Sequence, residues 1–359
     1  MLEKLLDRFR EKGPSRPRTK TETETRRRLV IVLLIVVAVL SSVAIVGYGY
    51  YDTNIRPWNR RILKVNGTVI EMRAFVYALR LQQSYSQYYS SQAEWAQAVA
   101  GSLEQNELAR QRLAEFGVDV RDVTSNEAVD AKLREHLVSY GFTSDNATDG
   151  EYQEGLKSFK KALKDALELP LGDYEKLAIE PELISAELQR RIGDRDYPEG
   201  SSLEHAQVQA LLVTGADEAT QLRAKWEAGE AFDTLAEEQS VSESLRGTDS
   251  DNTSTTEWMA KGIKNAAFDD FAFSATPGVL SDPIQDSDST GSYWLIRVVA
   301  RESRALSESD RDTLVGEAYS EWLEEATDPE KNDIVNYLDK EGGESKLNWA
   351  LDHVTVSPN

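Results

Sequence analysis

The 359-residue chain contains no cysteine, which excludes disulfide frameworks and zinc–thiolate centres. Histidine is nearly as scarce. His136, His205 and His353 stand apart, with neither the His-Glu-x-x-His nor the His–Cys spacing of a metal site, and they give no basis for a Ser-His-Asp order. No metal and no cofactor is therefore expected. Basic residues are in deficit, 41 Lys and Arg against 62 Asp and Glu, for a net charge of −21. Neutralising phosphates requires clustered Lys and Arg, so this balance excludes nucleic acid as a partner. It suits instead a soluble, self-repelling outer surface. The acidic stretch 249–257 (DSDNTSTTE) has the spaced acids of a calcium loop, but it lacks the glycine at the sixth position and the full ligand set, and reads as a polar loop.

What the chain does have is one long apolar run. Leu29 to Tyr51 carries no charge and follows Arg26, Arg27 and Arg28 directly. About 20 apolar residues suffice to cross a bilayer, so the run is expected to be a transmembrane helix over 29–51. The preceding basic tail, 1–28, places the N-terminus in the cytoplasm and the main domain outside the cell membrane, as a single-pass protein. Arg56, Arg60, Arg61 and Lys64 run against that bias, whereas Tyr48, Tyr50, Tyr51 and Trp58 suit an interfacial aromatic belt. Bulky aromatics after the run, in place of a small-residue cleavage site, argue for an uncleaved anchor.

Beyond the anchor, the pattern predicts an α+β protein. ILKVNGTVI (62–70) reads as a strand, an Asn-Gly turn and a second strand leading into a helix. A run of helices follows to about Asp194, with breaks at Gly117, at the loop 141–150 and at Pro170. Thr124 or Ser125 is expected to cap one helix and Asp173 to start another. In LKSFKKALKDALEL, Leu156, Phe159, Leu163 and Leu167 recur at helical spacing. The Pro-, Gly- and Ser-containing connector around Pro198 and Gly200 marks a domain boundary. After it the pattern predicts a strand at 206–213, helices at 217–228, 232–239 and 266–274, and strands at 278–284 and 292–299. A capped amphipathic helix is expected over 307–325, with Leu314 and Trp322 on its apolar face.

The block Glu257 to Ile284 (EWMAKGIKNAAFDDFAFSATPGVLSDPI) holds Trp258, Gly262, Phe268, Phe273, Pro277 and Gly278 at offsets that resemble the signature of the parvulin (PpiC-type) peptidyl-prolyl isomerases. Val65-Asn66-Gly67-Thr68-Val69-Ile70 is likewise similar to the opening of the chaperone module of the SurA and PrsA foldases. The resemblance implies a mainly helical SurA-N-like chaperone module over 52–196, a parvulin-like domain (small antiparallel sheet with flanking helices) over 203–302, and a C-terminal helical segment over 306–359 packing back on the chaperone module. For residues from Asp328 onward it supplies no reading.

Active parvulins, by the same resemblance, use two histidines, a Cys or Asp, and an apolar proline pocket containing Met and Phe. The corresponding positions here are Ala210 and Trp294 for the histidines, Ser242 for the Cys or Asp, and Lys264 and Phe268 for the pocket. His205, five residues upstream of Ala210, reads as a solvated linker residue. Only Phe268 keeps the family's residue type, so no catalytic set is intact. Prolyl isomerisation lowers a rotational barrier of about 18–20 kcal/mol and needs no nucleophile, but a groove without its hydrogen-bonded histidines lacks the support that orients it. The expected function is therefore a membrane-anchored extracytoplasmic folding factor that binds unfolded exported polypeptides, with a weak or inactive parvulin-like domain. An active isomerase and a non-catalytic membrane scaffold for a specific folded partner stay open, as does a homodimer.

Overall fold

The computed structural model describes residues 36–37, 39–241 and 257–355. The basic tail, the first part of the apolar run, Ser242 and the acidic loop 249–256 lie outside the described residues. Among the described residues no helix is long and apolar enough to cross a membrane. Positions 36, 37 and 39–50 are helical, and Leu40, Ile45 and Val46 are exposed. The chain forms two compact units, one of Met1–Ala96 and Val335–Thr355, the other of Gln97–Ile334 and Val356–Asn359.

In the first unit a π turn (Tyr51–Ile55) and a 3-10 turn (Arg56–Asn59) lead into strand β1 (Arg61–Val65), which pairs antiparallel with β2 (Thr68–Glu71). The connecting residues Asn66 (φ 46°) and Gly67 (φ 96°) both have positive φ, the geometry of a type I′ hairpin that Asn-Gly favours. A register shift between Arg61 and Leu63 lets the neighbours Ile62 and Leu63 both be buried. Helix α1 (Met72–Leu81) buries Met72, Phe75, Val76 and Leu79, one stripe at helical spacing.

Helix α2 (Gln92–Arg112) ends in a 3-10 turn closed by Gly117 in the left-handed region (φ 69°). Ser125 then caps α3 (Asn126–Ser139) by accepting from the Ala128 amide. Helix α4 (Asp149–Leu167) opens with a reciprocal capping box between Thr148 and Glu151, and the Thr148 amide holds the Glu151 carboxyl below the usual range. Its buried stripe is Tyr152, Gly155, Phe159 and Leu163. A Cβ at Gly155 would stand 2.5 Å from the Phe142 carbonyl oxygen, so a larger residue would push the two segments apart. Helical structure resumes at Leu171, ahead of the expected Asp173, because Pro170 serves as the cap residue; it passes through a π turn into α5 (Glu180–Asp196).

Next come β3 (Ser202–Thr214), α6 (Ala216–Glu227), α7 (Phe232–Gln239), β4 (Glu257–Ala260), α8 (Ala266–Ser274), β5 (Ile284–Gln285) and β6 (Ser292–Ala305). The strands form one antiparallel sheet in the order β4-β3-β6-β5, centred on the long β3–β6 pair. The edge strand β4 was not expected: its four residues, EWMA, are too short to show strand periodicity. The strand expected over 278–284 is reduced to a bridge between Leu280 and Arg297 and the two residues of β5, since Pro277 and Pro283 remove backbone donors there.

Helix α9 (Glu308–Ala326), capped by Ser307, buries Leu314 and Val315. Its Trp322 meets Phe116 edge-on with ring centroids 5.9 Å apart, beside Leu113 and Leu188. The last segment belongs to the first unit. Strand β7 (Ile334–Asn336) joins the hairpin in a sheet of order β2-β1-β7, and the Tyr337 amide donates to the Ile62 carbonyl at 2.9 Å. Helix α10 (Gly343–Asp352) sets Trp349 against Trp58 at 5.2 Å, and the Arg80 guanidinium donates twice to the His353 carbonyl.

Candidate functional site

The four-stranded sheet sorts its side chains by strand alternation. Ala206, Val208 and Ala210 of β3 share one face with Trp294, Ile296 and Val298 of β6, and α8 covers that face with Phe268 and Ala272. Leu211, Val213 and Leu295 point to the opposite face, covered by α6 and α7. Register fixes the neighbours on the first face: Ala210 lies opposite Ile296, and Leu212 opposite Trp294.

Four of the five positions singled out from the sequence are described, and the fold brings them to this α8 face. Ala210 (5 % exposed), Phe268 (1 %) and Trp294 (6 %) belong to one apolar cluster. The Phe268 and Trp294 rings meet edge-to-face, centroids 5.2 Å apart at 83°. Lys264 is half-buried, with its ammonium 5.8 Å from the Trp294 ring centroid, a cation–π distance. Ser242 lies outside the described residues, but the chain leading to it is fixed: the Val241 amide donates to the Leu212 carbonyl at 2.8 Å, and the buried Ser240 hydroxyl accepts from the Leu212 amide.

The chemistry of this layer follows from its contents. Ala210, Phe268 and Trp294 offer no group that can take up or deliver a proton. The indole N–H of Trp294 is itself buried and has no hydrogen-bond partner among the described residues.

The signature block acts as scaffold around this layer. Gly262 follows β4 at φ 96°, and a Cβ there would stand 2.7 Å from Leu314 of α9. Its amide donates to the Asp269 carboxylate at 2.6 Å, tying the turn to α8. Burial raises the Asp269 carboxyl above its ordinary range, against the opposing pull of that amide and of Lys261. Asn265 caps α8 by accepting from the Phe268 amide. At the other end of α8, Arg301 donates to the carbonyls of Ala272 and Ala275, where the helix dipole favours a cation.

His205 is not a solvated linker residue. It is 3 % exposed within β3, opposite Ala260 and Glu302, and its Nδ1 donates to the Leu203 carbonyl at 3.0 Å. The strand begins at Ser202, earlier than the apolar run that announces it, and the pairing with β6 draws the histidine inside. A polar chain that no sequence motif announces runs along the opposite face. Arg297 donates to the Gln209 carbonyl oxygen at 2.8 Å, and the Gln209 amide donates to Asp233 at 2.9 Å. Its signal in the sequence is Gln209, a polar residue on the strand face shared with the buried Leu211 and Val213. Among the described residues no group of His, Cys, Asp or Glu is arranged to hold a metal ion.

An antiparallel sheet of this order, with one helix on one face and two on the other, and with an apolar layer beneath α8, defines a parvulin-like domain. Residues 204–299 match the rotamase family, the PPIC-type PPIase domain. That is just over a quarter of the chain. No curated protein matches the sequence. Among solved structures, a peptidylprolyl isomerase (PrsA) of Bacillus anthracis is 16% identical, covering 72% of this chain and 97% of its own, with a TM-score of 0.36. The foldase protein PrsA of Streptococcus pneumoniae is 14% identical, covering 83% and 94%, with a TM-score of 0.30. A structure of SurA-like chaperones of Campylobacter jejuni is 15% identical, covering 63% and 90%, with a TM-score of 0.24. Superpositions this loose carry no argument, and the match over 204–299 is the finding that bears on function.

Proposed function

We propose that the chain is a membrane-anchored extracytoplasmic folding factor that binds unfolded exported polypeptides, and that its parvulin-like domain is weakly active or inactive as an isomerase. The observation that carries this reading is the closed apolar layer of Ala210, Phe268 and Trp294, in a domain that otherwise matches the rotamase family. An isomerase must hold a twisted prolyl amide in a groove with oriented polar support. Side chains this buried and this apolar leave a scaffold for binding or spacing. The charge-free run from Leu29 to Tyr51 after Arg26, Arg27 and Arg28 supports the anchor and the exported orientation.

A second reading, a working prolyl isomerase, is favoured by the family match itself. The two separate in paired assays on the full chain. In proline-limited refolding we expect little or no acceleration, whereas aggregation of a reduced, unfolded protein should be suppressed near stoichiometric ratio. Strong acceleration that Phe268→Ala abolishes would favour the isomerase. Absence of suppression at excess would sink the folding factor.

A further inference from the structure

Within the first unit, the turn after α1 carries three tyrosines in five residues, and all three face solvent: Tyr85 is 59 % exposed, Tyr88 76 % and Tyr89 38 %. Single exposed rings are ordinary, but a cluster on one turn marks a contact surface. The turn is a built one. The Ser86 hydroxyl donates to the Gln83 carbonyl at 2.8 Å and the Tyr89 amide donates to the Ser86 carbonyl. The Ser90 amide donates to the Glu94 carboxylate at 3.1 Å, and the Glu94 amide returns to the Ser91 hydroxyl, which fixes the turn to the start of α2. Tyr85 and Tyr88 lie with ring centroids 6.4 Å apart.

The charge pattern says what such a surface takes. From Leu81 to Ala93 there is no charged residue, in a chain of which 29% is charged. The nearest cation before it, Arg80, is spent on the His353 carbonyl, and no Lys or Arg follows until Arg110. Anionic lipid is attracted by clustered Lys and Arg, so electrostatic attachment to an anionic membrane surface is disfavoured. Tyr, Ser and Gln on a fixed backbone combine broad apolar contact with hydrogen bonding that tolerates many partners, the chemistry of paratopes. Resting on the folding-factor reading, we infer that the Gln83–Ser90 turn is a contact surface for extended, unfolded polypeptide. The rings cover its apolar side chains, and the hydroxyls and amides meet its backbone.

Because the chain is cysteine-free, Tyr88→Cys in the full chain carries a single photo-crosslinker, and Glu199→Cys, exposed in the connector, serves as reference. The probe is carboxymethylated lactalbumin, which stays unfolded, with the native protein as competitor. Crosslinking at position 88 should exceed that at 199 by about five-fold, and Tyr85→Ser/Tyr88→Ser/Tyr89→Ser should weaken probe binding about five-fold or more with an unchanged melting temperature. Probe binding by the full chain with equal crosslinking at the two positions, or undiminished in the triple variant, overturns the assignment of the turn alone. Equal competition by native lactalbumin points to folded partners and overturns the ligand class. Crosslinking to lipid in reconstituted vesicles without probe overturns it in favour of the membrane. A full chain that does not bind the probe at all removes the folding-factor reading and this assignment with it.

Discussion

The two faces of the β3–β6 sheet are built from alternate residues of the same strands, yet they solve burial differently. Beneath α8 the layer is apolar throughout, with Phe268 against Trp294 at its centre. Beneath α6 and α7 the apolar cluster is interrupted by the Arg297–Gln209–Asp233 chain. The face on which the parvulin resemblance puts polar chemistry is apolar at Ala210, Phe268 and Trp294, while the face behind carries a hydrogen-bonded chain from half-buried Arg297 through buried Gln209 to exposed Asp233. The chain on the α7 side ties a helix to the sheet, and the α8 side works by packing.

If that contrast is right, the largest loss comes from the apolar side. Trp294→Ala should cost about 3–5 kcal/mol, the range for removing a large buried aromatic, as read from the denaturation midpoint at unchanged m-value. Trp294→Phe discriminates further, since it keeps an aromatic ring and deletes a donor that has no partner among the described residues. Its cost should stay below about 1.5 kcal/mol, the range of tolerated hydrophobic swaps. A Phe variant as damaged as the Ala variant would mean that the indole N–H has a partner after all.

On the other face the expected loss is smaller and differently distributed. Arg297→Met removes the hydrogen bond from Arg297 to the Gln209 carbonyl oxygen and should cost about 1–3 kcal/mol. In a double-mutant cycle with Gln209→Leu the second substitution should add less than its single cost, because the two residues share one chain of hydrogen bonds. Full additivity would dissolve the chain into unrelated contacts and remove half of the comparison.

Much of this architecture was legible because local rules and tertiary packing agree. The Asn66-Gly67 hairpin, the Ser125 cap, helices 232–239 and 266–274, and the grouping of Ala210, Lys264, Phe268 and Trp294 followed from turn chemistry, periodicity and a motif. The misses share a cause. Strand β4, the inward turn of His205 and the return of β7 to β1 are decided by pairing with distant strands, which no window of sequence displays. Length alone could not assign residues past Asp328, since a three-residue strand has too few alternations to register. The closure of the candidate groove was legible only in part. Substituted positions could be named, whereas whether Trp294 opens or seals the layer depends on its packing with Phe268.

The smallest expected effect tests whether the α8 face tolerates charge even at its margin. Asp269 is half-buried and accepts from the Gly262 amide, and burial raises its carboxyl above the unfolded value. The folded state therefore holds this proton to higher pH than the unfolded chain does. As pH rises through the window just above the ordinary carboxylate range, the protein gives up stability, and it does not regain it at neutral pH. Asp269→Asn keeps an acceptor for Gly262 and cannot ionise. Relative to the parent it should be no more stable at pH 3.5 and should gain toward pH 7, by less than about 1 kcal/mol because a half-exposed group is screened. Urea midpoints at the two pH values read this directly. A difference that stays constant with pH would show that the carboxylate is held there without cost, and that the apolar layer ends short of α8's outer turn.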